Sequence, residues 1–348
     1  MKKNSQVDKS GSSVVRQYPF VIRRFEPLLN DKWIGEAVSY GCYRSGQAPG
    51  IKGPSVAEIE EDLQIILRHW NLIRLYSSDG DSARILEIIR KKHLPVKVML
   101  GVWLENETGH PERREENIAQ AIQGINLANE YTDLIAAVCV GNETQVTWSA
   151  HRMDQQDLIK YVRLVRNNTN APVTTADDYS FWITFDSKKV ADEIDFIVTH
   201  LYSMWNGITL ENAIEWMDRI YFQEVRVMHP DKETVIGEAG WATNYNTRKT
   251  GPGEQASLIK GTVDMAAQEY YLIHLHNWIT KTRVNTFLFE AFDEPWKGGG
   301  ENSEPDEVEK HWGVFYESRQ PKISFINYLR HHEHREDTTG PDSPETIR

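Results

Sequence analysis

Eight short apolar runs along the chain alternate with mostly longer segments, several of which carry apolar residues at spacings of three and four. The runs are 33–40, 71–77, 96–104, 134–141, 171–177, 195–202, 234–241 and 285–292. They are apolar through consecutive positions, which is the pattern of a parallel strand buried on both faces. The intervening helical segments carry Val56, Ile59, Leu63 and Ile66, then Ile118, Ile122 and Ile125, then Leu158, Val162 and Val165. Such alternation predicts parallel β-α units. Eight of them close into a barrel of about 250 residues before insertions, which 348 residues accommodate. An open doubly wound sheet would place a glycine-rich phosphate turn after the first strand, and "YGCYRSGQAPG" is not one. The expected fold class is therefore α/β, a single (β/α)8 TIM barrel. It spans 31–333, with 1–30 as an N-terminal extension and the polar 334–348 as a flexible tail. The fifth connection reads as reduced, and the helix after the seventh strand is expected to begin near Glu254.

Charge and composition narrow the function. A formal net charge of −12 argues against nucleic acid or an anionic membrane surface as partner, since phosphates call for a basic face. No 18-residue apolar run is present, so no membrane span is expected. The opening "MKKNSQVDKSGSSVV" has basic residues without an apolar region behind them, so no signal peptide is expected in the sequence as given. The two cysteines, Cys42 and Cys139, build neither a disulfide framework nor a zinc site, and Cys139 reads as a small buried hydrophobe. A neutral ligand such as a sugar fits this balance. Eleven tryptophans and fourteen tyrosines, several of them near strand ends, supply flat faces for stacking on it.

In a barrel of this kind the site is built at the C-terminal ends of the strands. Those ends carry Tyr40, Tyr43, Tyr76, Trp103 and Glu105 from the first three strands. Asn142 and Glu143 end the fourth, Asp177 and Asp178 the fifth, and His200 and Tyr202 the sixth. Glu238 and Trp241 end the seventh, and Glu290, Asp293, Glu294 and Lys297 follow the eighth. No metal-ligand spacing and no serine or cysteine nucleophile with a partner occurs among them, so no cofactor and no metal is expected. Paired carboxylates over an aromatic cleft suit glycosidic bond cleavage, one acid donating a proton while the other attacks or activates water. A gap of about 5–5.5 Å between them would imply retention of configuration, and about 6.5–9.5 Å inversion. Arg74, inside the second strand, reads as a buried partner for a site carboxylate. Asp177 and Asp178 read either as caps of the fifth connection or as site residues.

The segments "SYGCYRSGQAPG", "VGNET", "VTHLYSMWNG", "GEAGW" and "FLFEAFDEPWK…HWGVF" together resemble glycoside hydrolase family seventeen, the β-1,3-glucanase family, in its bacterial form. The resemblance spans about residues 33 to 325. It implies a barrel of the retaining glycosidase clan A type, with the acid/base on strand four and the nucleophile on strand seven. Carried over residue by residue, it implies Glu143 as acid/base, Glu238 as nucleophile and Asn142 as the residue that holds the sugar 2-hydroxyl. It further implies that Tyr202 holds the nucleophile and that Glu294 and Lys297 support the site. Plant members read Gly-Trp-Pro after the nucleophile, whereas this chain has Gly240-Trp241-Ala242, and Glu290 stands where they carry a small residue. We read Glu290 as a sugar contact, and Tyr40, Tyr43, Tyr76, Trp205 and Trp241 as stacking platforms. The implied activity is endo-acting, retaining hydrolysis of laminarin-type β-1,3-glucan. A glucanosyltransferase using the same two glutamates is the alternative, and a non-catalytic glucan-binding protein is a third reading. The expected partner is a β-1,3-glucan oligo- or polysaccharide, with the protein a monomer that is secreted, periplasmic or on the cell surface.

Overall fold

A computed structural model of the chain describes residues 20–248, 254–299 and 304–338. A two-residue hairpin comes first, β1 (Leu28–Leu29) pairing antiparallel with β2 (Lys32–Trp33). Its turn residues Asn30 and Asp31 sit at φ 50° and 62°, the left-handed pair that the tightest hairpins require. The eight expected strands then follow, all but the fourth shorter than their apolar runs. They are β3 (Glu36–Ser39), β4 (Leu72–Arg74), β5 (Lys97–Val102), β6 (Ile135–Asn142), β7 (Val173–Asp178), β8 (Ile197–His200), β9 (Thr234–Ala239) and β10 (Thr286–Leu288). All pair parallel, in the closed order β10-β3-β4-β5-β6-β7-β8-β9. The (β/α)8 barrel expected from the sequence is the observed fold.

Side chains alternate across each strand, so every strand feeds two cores. Leu72, Met99, Ala137, Cys139, Ala176 and Val235 form the barrel interior, with Phe25 and Phe196 stacked 4.8 Å apart among them. Ile73, Val98, Leu100, Val138 and Val140 point the other way, into the layer shared with the helices. The period of two therefore places Arg74, two residues after Leu72, on the interior face at the site end of β4. From residue 20 the expected N-terminal extension is part of this body. Phe25 is buried among the interior side chains, and the Arg23 amide donates to Asp195 Oδ1 at 2.7 Å. The sequence hides this because one phenylalanine, not a periodic run, makes the contact; residues 1–19 lie outside the described region.

The helices start at readable caps. Ser55 and Glu58 form a reciprocal capping box for Val56–Ile66, and Asp79, Asp154 and Asp264 cap Gly80–Lys91, Gln155–Asn168 and Met265–Thr282. Asp264 thus starts the helix after β9 well beyond Glu254, and only a short 3-10 turn, Gln255–Leu258, lies near the expected start. The fifth connection is reduced, to Tyr179–Trp182 and Ser187–Ala191. The helix Pro111–Glu130 forms, but Ile118 and Ile122 are exposed. Its inner face is Asn117, Ala121, Gly124, Leu127 and Ala128, small residues that let it lie close against β5. The last helix, Ile323–Thr338, carries the chain past the point where the tail was expected to begin, and 339–348 lie outside the described residues. Among the described residues no helix is long and apolar enough to cross a membrane.

Candidate active site

The fourth barrel strand ends in a backbone turn that aims its last side chains at the rim. Gly141 and Glu143 both adopt the left-handed region, at φ 81° and 51°. Glycine takes that conformation freely, whereas a glutamate there costs on the order of 1 kcal/mol. The Glu143 amide still donates to the Ala176 carbonyl at 2.9 Å, which keeps the turn fastened to β7. The seventh strand delivers Glu238, which is 5% exposed.

Arg74 ties the two strand ends together across the barrel. Its Nη1 donates to Glu238 Oε1 and to the Gly237 carbonyl, both at 2.9 Å, and its Nη2 donates to Asn142 Oδ1 at 2.6 Å. Because arginine only donates, the Asn142 oxygen faces it and the amide NH2 is turned away. Arg74 is thus the partner of a site carboxylate, as its place inside the strand suggests. Glu238 also accepts from the Tyr202 hydroxyl at 2.5 Å and from the Tyr76 hydroxyl at 2.9 Å. Burial alone would raise the Glu238 carboxyl. The charges of His200 and Arg74 and the two tyrosine hydroxyls outweigh it and leave the carboxyl below its ordinary value.

His200 stands between the two acids. Its Nδ1 is 2.9 Å from Glu143 Oε1, and its Nε2 is 3.4 Å from Glu238 Oε1 and 3.3 Å from Arg74 Nη1. One ring nitrogen thus faces each acid, and the imidazole bridges the pair. One oxygen of Glu143, one of Glu238 and a nitrogen of His200 all lie within 4.8 Å of one another. This trio is the one group among the described residues with the reach of a metal site, and its members come from three strands, so no sequence spacing reveals it. The Arg74 guanidinium already supplies positive charge at that corner, so we read the trio as an acid pair bridged by an imidazole.

Beyond β10, Lys297 Nζ lies 3.0 Å from both oxygens of Glu290 and 2.6 Å from Glu294 Oε2. Burial, then the Glu294 charge, pushes the Glu290 carboxyl well up against the pull of Lys297, while Lys297 and a hydrogen bond from Glu290 hold Glu294 below its ordinary value against burial. Glu294 lines the cleft beside Gly41, where an added Cβ would come within 2.0 Å of Glu294 Oε1. Glu290 is fully buried and does not line the cleft. Its expected role as a sugar contact is corrected to that of a partner for Lys297.

The strand ends surround a cleft of about 1820 Å³. Tyr43, Tyr76 and Trp205 line it. Tyr40 also borders it but is 2% exposed, with its hydroxyl on Asp62 at 3.0 Å and its ring edge-on to Phe292, so it is wall and not platform. Trp241 is a further correction. It is 1% exposed, packs on Tyr271 at 5.6 Å and donates to the Thr262 carbonyl at 3.0 Å, away from the cleft. Its place two residues after the end of β9 carries it past the rim and back toward the helix Met265–Thr282. Asp178 borders the cleft and caps Tyr179–Trp182 through the Ser180 amide at 2.9 Å. Asp177 is buried and accepts from the amides of Gln145, at 2.8 Å, and Asp178, at 3.0 Å, bracing the segment that follows Glu143. Both therefore have the cap and brace roles, with Asp178 also at the rim. The residue role missed in the sequence is that of His200, for which the alternation along β8 was the available signal.

Comparison with known proteins places this geometry in context. A family model described as the BtgE/BtgC glycoside hydrolase domain matches residues 37–313. The chain is 27% identical over 282 residues to the putative glucan endo-1,3-beta-glucosidase btgC of Aspergillus niger, covering 77% of this chain and 40% of that protein. It is 25% identical over 311 residues to a glucan 1,3-beta-glucosidase of Arthroderma benhamiae, covering 84% of this chain and 93% of that one. Among solved structures, an endo-laminarinase from Formosa Hel1_33_131 superposes with a TM-score of 0.70 at 22% identity, over 86% of this chain and 88% of that chain. The glycoside hydrolase family 17 beta-1,3-glucanosyltransferase from Rhizomucor miehei gives 0.65 at 21%, over 83% and 95%. At such identities the structural likeness is one of fold.

Proposed function

Since the chain belongs to the BtgE/BtgC glycoside hydrolase family, we propose that it hydrolyses β-1,3-glucan at internal linkages with retention of configuration. The observation that carries the reading is the acid pair, with oxygens of Glu143 and Glu238 within 4.8 Å at the ends of the fourth and seventh barrel strands. Oxygens this close favour the retaining arrangement, in which the two carboxyl groups lie about 5–5.5 Å apart, over the wider spacing of an inverting enzyme. The resemblance of the strand-end motifs to family seventeen points the same way.

In the proposed cycle Glu238, held ionised by Arg74, Tyr76 and Tyr202, attacks the anomeric carbon. The bond to the glycosidic oxygen breaks, and Glu143 gives that oxygen its proton. Water then attacks the glycosyl-Glu238 ester, passing its proton to Glu143, and both acids return to their starting states. The Asn142 amide, turned from Arg74, donates to the sugar 2-hydroxyl, an interaction that strengthens as positive charge grows on the ring. Lys297 and Glu294 contact the glucan at the rim. The cleft volume of about 1820 Å³ exceeds the roughly 300–1,000 Å³ of ordinary small-ligand pockets and supports an internal segment of polymer as ligand. A polymer of this kind is met outside the cytoplasm, and we place the enzyme there, as a monomer.

Incubation with laminarin and defined β-1,3-gluco-oligosaccharides, followed by mass and by the anomeric configuration of the first product, tests the proposal. Shorter β-configured products from wild type, lost in Glu143→Gln and Glu238→Gln, are expected. Products longer than the input would make the enzyme a glucanosyltransferase with the same two acids. An α-configured first product, or intact substrate, would overturn the reading.

A further inference from the structure

Trp148 is the one tryptophan of eleven that the fold leaves exposed, at 63%. Want of a core does not explain this. Trp148 sits on the segment following Glu143, and that segment has already buried Val146 and Met153, 4% and 6% exposed, and closed its base with the Met153 amide on the Thr144 carbonyl at 2.9 Å. The segment is therefore anchored at its feet and presents an indole at its tip. That indole borders the same cleft as the acid pair.

A second aromatic feature stands at the same edge. Trp103 lies edge-on to His151 at 4.5 Å, and Glu105 fixes both, accepting from Trp103 Nε1 at 2.8 Å and meeting His151 Nδ1 at 3.1 Å. With its only polar atom consumed, Trp103 has nothing but its ring to offer the cleft. Two indoles, one held by a carboxylate and one carried on an anchored loop, thus border the cleft on the segments after β5 and β6. None of the side chains that hold Glu238 belongs to these two segments, so the indoles are separate from the nucleophile's own support.

We propose that Trp148, with Trp103, forms a distal platform that stacks on a glucosyl unit remote from the scissile bond, so that the enzyme selects long β-1,3-glucan over short oligomers. This rests on the glucanase reading above. The C–H face of a pyranose ring is apolar while its rim is hydroxylated, and an exposed indole beside polar groups matches both. A platform remote from the reacting carbon binds ground state and transition state alike, so its loss raises KM and spares kcat.

The test compares Trp148→Ala and Trp148→Phe with wild type on laminarin and on an aryl laminaribioside too short to reach the platform. An aromatic contact of this kind is worth about 1–1.5 kcal/mol, or roughly a fivefold to tenfold effect. Trp148→Ala is expected to raise KM for laminarin by about that factor with kcat unchanged, to leave the aryl substrate untouched, and to be largely rescued by Trp148→Phe. Equal losses on both substrates would mean that the loop merely positions Glu143, and would overturn the platform. So would identical kinetics on both. A wild type that cuts neither substrate would refute the glucanase reading itself, a result distinct from either of these.

Discussion

Replacing Tyr202 by Phe removes one hydrogen-bond donor from Glu238, the nucleophile of the proposed cycle, and almost nothing else. The hydroxyl lies 2.5 Å from Glu238 Oε2, and Arg74 and Tyr76 hold the other oxygen at 2.9 Å. A hydrogen bond to a buried charge is worth about 1.5–3 kcal/mol. Only the part that separates the ionised from the protonated carboxyl moves its pKa. Taking half, about 0.75–1.5 kcal/mol, and 1.36 kcal/mol per unit, the Glu238 pKa should rise by about half a unit to one unit. The nucleophile must be ionised to attack, so the acid limb of the kcat/KM profile should move up by that amount. The basic limb, which reports the proton donor, should stay in place.

The same change has a stability signature with a definite sign. The folded-state pKa of Glu238 is lowered, so its contribution to stability is present above the unfolded value near 4.3 and is lost as pH falls through the folded value. Tyr202→Phe narrows that difference. Its destabilisation relative to wild type should be greatest at neutral pH and shrink toward pH 3, measured by denaturant titration at several pH values. An acid limb that stays put or moves down would refute the argument that the tyrosine holds the ionised form.

Two further substitutions separate packing from chemistry. Trp241→Ala should lower stability in urea by about 3–5 kcal/mol through the cavity it leaves, with KM for laminarin unchanged; a raised KM at unchanged stability would return Trp241 to the cleft. Glu290→Gln should be tolerated within about 1 kcal/mol, because burial and the neighbouring Glu294 push this carboxyl up and weaken its pairing with Lys297. A raised folded pKa makes the native Glu290 a growing liability as pH climbs above the ordinary carboxylate range, so the variant should gain on wild type between pH 4 and pH 7. Collapse of the melting temperature at pH 7 would instead mean that Glu290 is the charged partner of Lys297.

The eight strands were legible because each is apolar on both faces and must be, lying between the barrel interior and the helices. Their ends were less so. The runs 33–40 and 285–292 outlast β3 and β10 because residues that have left the ladder, such as Phe289 and Phe292, are still buried under the rim. Apolarity reports burial, and hydrogen-bonded register is a narrower property. The helix Pro111–Glu130 was misread on its inner face for the converse reason, since close approach to β5 selects small residues and leaves its isoleucines outside. Within the site, residues on strands could be placed by alternation, and Arg74 fell where the period of two put it. Trp241 and Trp148 lie past the strand ends, where no periodicity relates sequence to direction, and the expected platform Trp241 is buried while Trp148 is bare.

The deeper regularity is an asymmetry between the two acids. Two carboxyl groups with oxygens within 4.8 Å of each other can take different roles only in different surroundings. Every strong donor at this centre decides for Glu238: Arg74 by charge, Tyr76 and Tyr202 by hydroxyl, all within 2.9 Å. Glu143 has only the His200 Nδ1 within 2.9 Å of one oxygen, a side chain 27% exposed, and the buried acid Asp177 bracing the segment behind it. Environments that differ this much are how paired carboxyl groups take separate roles. The interior of the barrel makes the difference affordable. Below the site it is filled with Ala137, Cys139 and Ala176, side chains short enough to let one guanidinium cross from β4 to β6 and β9 and reach both strand ends. The backbone beside the guanidinium is equally tight: a Cβ added at Gly237 would come within 3.2 Å of Arg74 Nη1 and 2.2 Å of Val198 Cγ1, so a side chain there would press on the group that tells the proposed attacking acid from the proposed proton donor.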